Sequence, residues 1–286
     1  GAAQGPKDIP ASVAQGSAAA SRAARVLSKD TWEIEPVVAS VNSDLCISAQ
    51  GRKCGLCAQA CPYGAITVEV GHAAVVTTAK CHGCGGCAAE CPQSAITQDH
   101  FTDAEVVAQL DALLADHPED KILAFMCHWC SYGGADNAGS SHFEYPSSSR
   151  GLRVMCSARM DEDFVLEAFR RGAGMVLVSG CHPQDCHYIS GQQVAAKRFE
   201  RMGRLLQRMG INPERFRLEW ISAAEGDKYA RVITEMDAKL RSFDKEELIA
   251  ETRAAQPTIA KRLARWKASP QMADLLPKEE AAGVPA

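Results

Sequence analysis

The sequence has no apolar run approaching the roughly 20 residues of a membrane helix, so no direct membrane insertion is expected. It shows no charged stretch, apolar stretch and small-residue cleavage site at its start, so no secretory signal peptide is read. Its formal net charge of -4 offers no basic face for nucleic acid or an anionic membrane. The G-x-G-x-x-G dinucleotide fingerprint is also missing, which excludes a complete flavin- or nicotinamide-binding fold of that type. The first residue is not Met, and the stretch is read as trimmed or as a piece of something longer.

Thirteen cysteines are present: Cys46, Cys54, Cys57, Cys61, Cys81, Cys84, Cys87, Cys91, Cys127, Cys130, Cys156, Cys181 and Cys186. An odd count without a secretory signal argues against a disulfide framework, and tight C-x-x-C spacings argue for metal in a reducing compartment, the cytoplasm. With 46% hydrophobic and 23% charged residues, the composition is that of a globular protein, and 286 residues suffice for one large domain or two to three small ones.

Residues 54–67, "CGLCAQACPYGAIT", repeat at 84–97 as "CGGCAAECPQSAIT", with nine of fourteen positions identical. The second copy, C81-x2-C84-x2-C87-x3-C91-P92, is the bacterial ferredoxin run for a [4Fe–4S] cluster. In the first copy the leading gap, Cys46 to Cys54, is stretched to seven residues. In such two-cluster ferredoxins the last cysteine of each run ligates the other cluster, which groups Cys46, Cys54, Cys57 with Cys91, and Cys81, Cys84, Cys87 with Cys61. Arg52, Lys53 and Lys80 flank these ligands and read as offsetting thiolate charge or, more commonly for such residues, as solvated side chains. Between the copies, "AITVEVGHAAVVTTAK" reads as a hairpin turning at Gly71-His72.

The fold class expected is α/β with a bacterial-type two-cluster ferredoxin (α+β) domain and a C-terminal open parallel sheet domain. Residues 1–45 read as an Ala-rich segment with a helix opened at Pro10, short of large apolar residues and expected to pack on something else. The ferredoxin-like domain spans 46–100, and a linker helix with Thr102 as N-cap covers 101–119. In 120–243, strands are read at 121–126, 152–155, 175–180 and 216–221, and helices at 161–172, 190–210 and 224–243. The Gly-rich "SYGGADNAGSS" (131–141) reads as a flexible loop or as a helix start at the rim of the site, and 244–286 as a polar tail whose Ile259, Leu263 and Trp266 form one amphipathic face against the domain itself.

Cys127, Cys156 and Cys181 each fall at a strand's carboxyl end, with Cys130 and Cys186 just beyond, so all five are expected at the ligand-binding edge of the sheet. A further iron–sulfur centre is the preferred reading. A zinc site drawing on the same thiols with His128, His182 or His187, and a thioredoxin-like "CHWC" redox pair, stay open beside it. The histidines read as hydrogen-bond partners rather than iron ligands.

"FMCHWCSYGGADNAG", "LRVMCSARMD", "GCHPQDCHYISGQ" and "INPERFRLEWISAAEGDKYA" resemble the delta subunit of methyl-viologen-reducing hydrogenase. That resemblance implies one [2Fe–2S] cluster and electron transfer from a hydrogenase or formate dehydrogenase to a heterodisulfide reductase. "GAAQGPKDIPASVAQGSAAA", followed by the duplicated cysteine runs, makes residues 1–100 resemble the end of the flavoprotein (A-type) component of heterodisulfide reductase, the last stretch of its FAD domain and its ferredoxin insert, which implies an FAD completed by missing sequence or another chain beside the two [4Fe–4S] clusters. It also implies that Gln4, Gly5, Lys7, Asp8 and Ile9 lie near that flavin. The combined expectation is an electron-relay subunit of a bifurcating complex with heterodisulfide-reductase-like partners. The alternatives are a component like the B-type one of the quinone-interacting membrane-bound oxidoreductase, a ferredoxin fused to a zinc-stabilised docking module, and a ferredoxin-fed thiol–disulfide reductase.

Overall fold

The computed structural model describes residues 5–31, 35–269 and 272. They fall into two units, one ending at Pro36 and one beginning at Val37. The first unit holds one helix, α1 (Ile9–Leu27); the Asp8 carboxylate accepts the Ala11 amide at 2.8 Å and Pro10 sits in the first turn. None of its residues is buried.

The second unit begins with a small α+β module built from β1 (Ala39–Val41), α2 (Leu56–Ala60), β2 (Ile66–Thr67), β3 (Val75–Val76), α3 (Gly86–Ala89) and β4 (Ile96–Gln98). β2 and β3 form the expected hairpin, pairing Ile66 with Val76. β1 pairs antiparallel with β4, Ala39 opposite Gln98. The module therefore starts before residue 46, the bound set by its first cysteine. A three-residue strand is too short to show alternation in the sequence.

Helix α4 (Asp103–Leu113) opens on a full capping box: the Thr102 hydroxyl accepts the Glu105 amide at 3.2 Å, and the Glu105 carboxylate accepts the Thr102 amide at 2.8 Å. It is more than a linker, since Val106, Val107 and Leu110 are buried in the core of the α/β region. That region continues with β5 (Ile122–Cys127), α5 (Gly133–Ser140), β6 (Ser149–Val154), α6 (Glu162–Arg170), β7 (Met175–Gly180), α7 (Gly191–Phe199), α8 (Met202–Met209), β8 (Phe216–Trp220), α9 (Gly226–Ser242) and α10 (Lys245–Lys267).

Four parallel strands lie in the order β6-β5-β7-β8. The central pair, β5 and β7, is buried along its full length, which is why both read as unbroken apolar runs. One face of the sheet packs on α5 and α9 through Ile122, Ala124, Met175 and Leu177. The other packs on α4, α6, α7, α8 and α10 through Leu123, Phe125, Val176 and Val178. The crossovers after β5 and β7 thus leave to opposite faces and open a switch point between their carboxyl ends.

Of the two forms read for the Gly-rich 131–141, the helix start is the one found: a π-turn over His128–Tyr132 runs into α5. Gly133 and Gly134 serve close packing, since a Cβ on them would lie 3.0 Å from the Ala223 methyl and 2.7 Å from the Ser222 carbonyl. The helix expected over 190–210 divides at Glu200-Arg201. The tail from 244 to 267 is helix α10, capped by Asp244, with Ile259, Leu263 and Trp266 buried in the core. Beyond 269, all but Met272 lies outside the described residues.

Candidate metal centres

The switch point collects all five remaining cysteines. Cys127 ends β5, Cys156 follows β6 and Cys181 follows β7, each with no more than 1% exposure. Cys130 comes from the π-turn and Cys186 from the loop before α7, both half-buried. The Cys127 and Cys181 sulfurs are 3.9 Å apart. The turn is fixed by Ser131, whose hydroxyl accepts the Cys127 amide at 2.9 Å and donates to the Ser179 carbonyl at 3.0 Å.

Backbone amides face these sulfurs. Ala158 N–H donates to Cys156 Sγ at 3.5 Å and Gln192 N–H to Cys186 Sγ at 3.3 Å. Gln192 lies in the first turn of α7, so the positive end of that helix meets the thiols. Hydrogen bonds from Cys156 and Cys181 draw the Cys127 thiol down to about 3. Two of the other thiols move the other way, the hydrogen bond to Cys181 raising Cys130 and that to Cys127 raising Cys156, while Cys181 is itself lowered. Charge on Cys127 therefore disfavours charge on Cys130 and Cys156 beside it.

Two observations bear on what fits there. Ser157, wholly buried beside Cys156 and against Gly180, has an Oγ without a partner among the described residues. Among the described residues, the one group of three metal-donating side chains gathered within 4.8 Å is His117, Glu119 and Asp120, which includes no cysteine. A single tetrahedral zinc with Zn–S of about 2.3 Å needs sulfurs about 3.8 Å apart. No trio of these thiols is that tight, whereas a two-iron core spans a wider set. The histidines are engaged elsewhere: His128 Nδ1 lies 3.3 Å from Arg153, His182 Nε2 lies 2.6 Å from Glu225, and His187 stacks on Trp129 at 3.9 Å.

The other eight cysteines form two groups. Burial pushes Cys57 up to about 11, helped by the charges of Cys91, Cys54 and Cys46. Burial likewise raises Cys84 to about 11 and Cys87 further, with Cys61 and Cys81 as charged neighbours of both. The last cysteine of each run thus stands with the other run. Cys61, Cys81, Cys84 and Cys87 line a small cavity with Gly83 and Gly85, both at positive φ. The seven-residue gap after Cys46 winds through turns, Gln50 N–H returning to the Cys46 carbonyl at 3.3 Å. Arg52, Lys53 and Lys80 are exposed.

The two regions meet at a junction absent from the sequence reading. Cys156, Ala158 and Tyr188 form a buried cluster on which Tyr63, Cys84 and Cys186 pack. A Cβ on Gly86 would lie 3.2 Å from the Ala158 methyl. Buried Arg159 donates to the Phe101 carbonyl at 2.9 and 3.1 Å and pairs with Asp103, while Arg198 ties Glu90 to the Ala158 and Met160 carbonyls. One trace was present in the sequence: Tyr63 replaces Gln93 at the equivalent position of the duplication.

Of the residues expected near a flavin, Gln4 lies outside the described residues. Gly5, Lys7, Asp8 and Ile9 sit at the start of α1, the last three exposed and Asp8 occupied as its cap.

Residues 122–244 match the family described as methyl-viologen-reducing hydrogenase, delta subunit, and residues 51–96 match a 4Fe-4S dicluster domain. The iron-sulfur D subunit of the F420-non-reducing hydrogenase of Archaeoglobus profundus is 46% identical over 130 residues, 46% of this chain and 95% of that protein. The A component of the ferredoxin:CoB-CoM heterodisulfide reductase of Methanosarcina mazei is 42% identical over 244 residues, 85% of this chain; the chain spans 30% of the length of that relative. No described helix is long and apolar enough to cross a membrane.

Proposed function

Since the chain belongs, through residues 122–244, to the methyl-viologen-reducing hydrogenase delta subunit family, we propose that it is an iron–sulfur relay subunit of a heterodisulfide-reductase-like complex. In this reading, Cys127, Cys130, Cys156, Cys181 and Cys186 supply four ligands and one neighbouring thiol to a [2Fe–2S] centre. Cys61, Cys81, Cys84 and Cys87 hold one [4Fe–4S] cluster, and Cys46, Cys54, Cys57 and Cys91 the other. Bound clusters supply one-electron uptake and release. The chain's own residues set the conditions: strand ends fix the sulfurs, the Ala158 and Gln192 amides favour their negative charge, and burial keeps water away.

The observation that carries the reading is the convergence of three strand-end cysteines at the switch point, one of which, Cys156, lies in a buried cluster on which Cys84 of the ferredoxin-like module packs. A hydrogenase or formate dehydrogenase on the rim side, and a flavin held beyond this stretch of sequence, are the proposed donor and acceptor. Gln4, Gly5, Lys7, Asp8 and Ile9 are proposed to border that flavin. Iron, sulfide and zinc analysis of anaerobically purified chain, with EPR during reductive titration, tests this. About ten irons per chain and no zinc are expected; about eight irons with one zinc at the rim would overturn it in favour of a docking module.

A further inference from the structure

The duplication matches in all its aligned cysteines and differs two residues after the last of each run, Tyr63 against Gln93. The structure gives these positions different surroundings. Gln93 lines, with Cys91, a large open cavity bordered by α3, α7 and α10. Tyr63 instead lines the small cavity of Cys61, Cys81, Cys84 and Cys87. It also packs, with Cys84 and Cys186, against the buried cluster of Cys156, Ala158 and Tyr188. His82 stacks on its ring at 3.8 Å and 19°. One aromatic side chain therefore borders both thiol sets, beside a close approach of Gly86 to the Ala158 methyl.

We propose that Tyr63 is a positioning residue of the relay, its ring fixing the separation of the rim and the Cys61/Cys81/Cys84/Cys87 site and keeping water out of the junction. The inference rests on the functional reading above. A rigid ring with few rotatable bonds holds its volume where a flexible side chain would not, and packed protein leaves no room for solvent to reorganise as charge moves. Gln93 has no such duty, because its end of the module is open.

The test compares full chain with Tyr63→Phe and Tyr63→Ala, purified anaerobically. Iron content, EPR broadening between the reduced rim and its neighbour, and the rate of internal electron equilibration after flash reduction are measured. Tyr63→Ala is expected to keep its iron, lose the broadening and slow equilibration by about tenfold or more as water enters the void; Tyr63→Phe keeps the broadening and a rate within about twofold of wild type. Where Tyr63→Ala sheds iron, Tyr63→Leu is read in its place with the same expectation. An unchanged rate in an iron-replete Ala or Leu variant overturns the proposal, as does an equal loss in Tyr63→Phe, which would assign the effect to the hydroxyl. A wild-type chain without iron at the rim would sink the functional reading before any variant is compared; variants with all irons present speak to Tyr63 alone.

Discussion

Gly191 and Cys156 touch: the first residue of α7 lies so close to the sulfur that a methyl group on it would overlap Cys156 Sγ and stand 3.3 Å from Cys186 Sγ. The obstacle is a thiol fixed behind a strand end, so it has little room to yield. Gly191→Ala is expected to cost the rim its centre while the ferredoxin-like sites keep theirs, lowering iron from about ten to about eight per chain. Iron analysis with EPR of the reduced protein reads this directly; full iron with an unchanged spectrum would refute it.

Arg159 lies buried between the two regions, its guanidinium 4.9 Å from the Phe164 ring centroid and bonded to Phe101 and Asp103. Trp266 donates to the other Asp103 oxygen at 2.7 Å. Arg159→Met leaves the Asp103 carboxylate with the indole alone, and losing one partner of a buried pair costs about 3–5 kcal/mol. Adding Asp103→Asn is expected to recover part of that loss, because the stranded charge is gone. Anaerobic urea unfolding of both variants measures the coupling; additive losses would show that the pair does not act as a unit.

What the sequence shows follows from where the physics is local. Ligand cysteines at short fixed spacings and the unbroken apolar runs of β5 and β7 carry their meaning in a few consecutive residues. So the switch-point rim could be read from three strand ends. The duty of Tyr63 is set by residues such as Cys84 and Tyr188, remote in sequence, and only its mismatch with Gln93 hinted at it. β1 needs β4 to be a strand at all. The glycines of α5 allowed a flexible loop beside a helix start because sequence cannot show Ser222 pressed against Gly134. The break between α7 and α8 left no mark because Phe199, Met202 and Leu206 keep helical spacing across it and are all buried.

Asp163, at the start of α6, is raised from 3.8 to about 7, chiefly by burial and then by the charge of Asp161. At low pH both folded and unfolded carboxyls are neutral. As pH rises from about 4 to 7 the unfolded chain ionises first, so the folded state loses stability through that window and bears the full penalty above it. Asp163→Asn removes the charge and keeps the backbone N–H that Asp161 accepts at 2.9 Å. Its stability advantage over wild type is expected to grow by about 1 kcal/mol between pH 6 and pH 8. A denaturation midpoint difference constant over that range would contradict the assignment.

Helix α10 carries Pro257 in its interior and many charges, yet its Leu248, Ala255, Ile259, Leu263 and Trp266 are buried. Trp266 meets Phe164 of α6 edge-on, with ring centroids 5.7 Å apart. Its stripe is thus satisfied within the chain, and the helix belongs to the core of the α/β region rather than to a waiting partner. Ile259 is fully buried, so Ile259→Ala should destabilise the isolated chain by about 2–4 kcal/mol through lost burial and the cavity left behind. Exposed Lys261 on the same helix gives the control: Lys261→Ala should stay within about 0.5 kcal/mol of wild type. Equal, negligible effects of the two in the isolated chain would mean that α10 does not hold this region together.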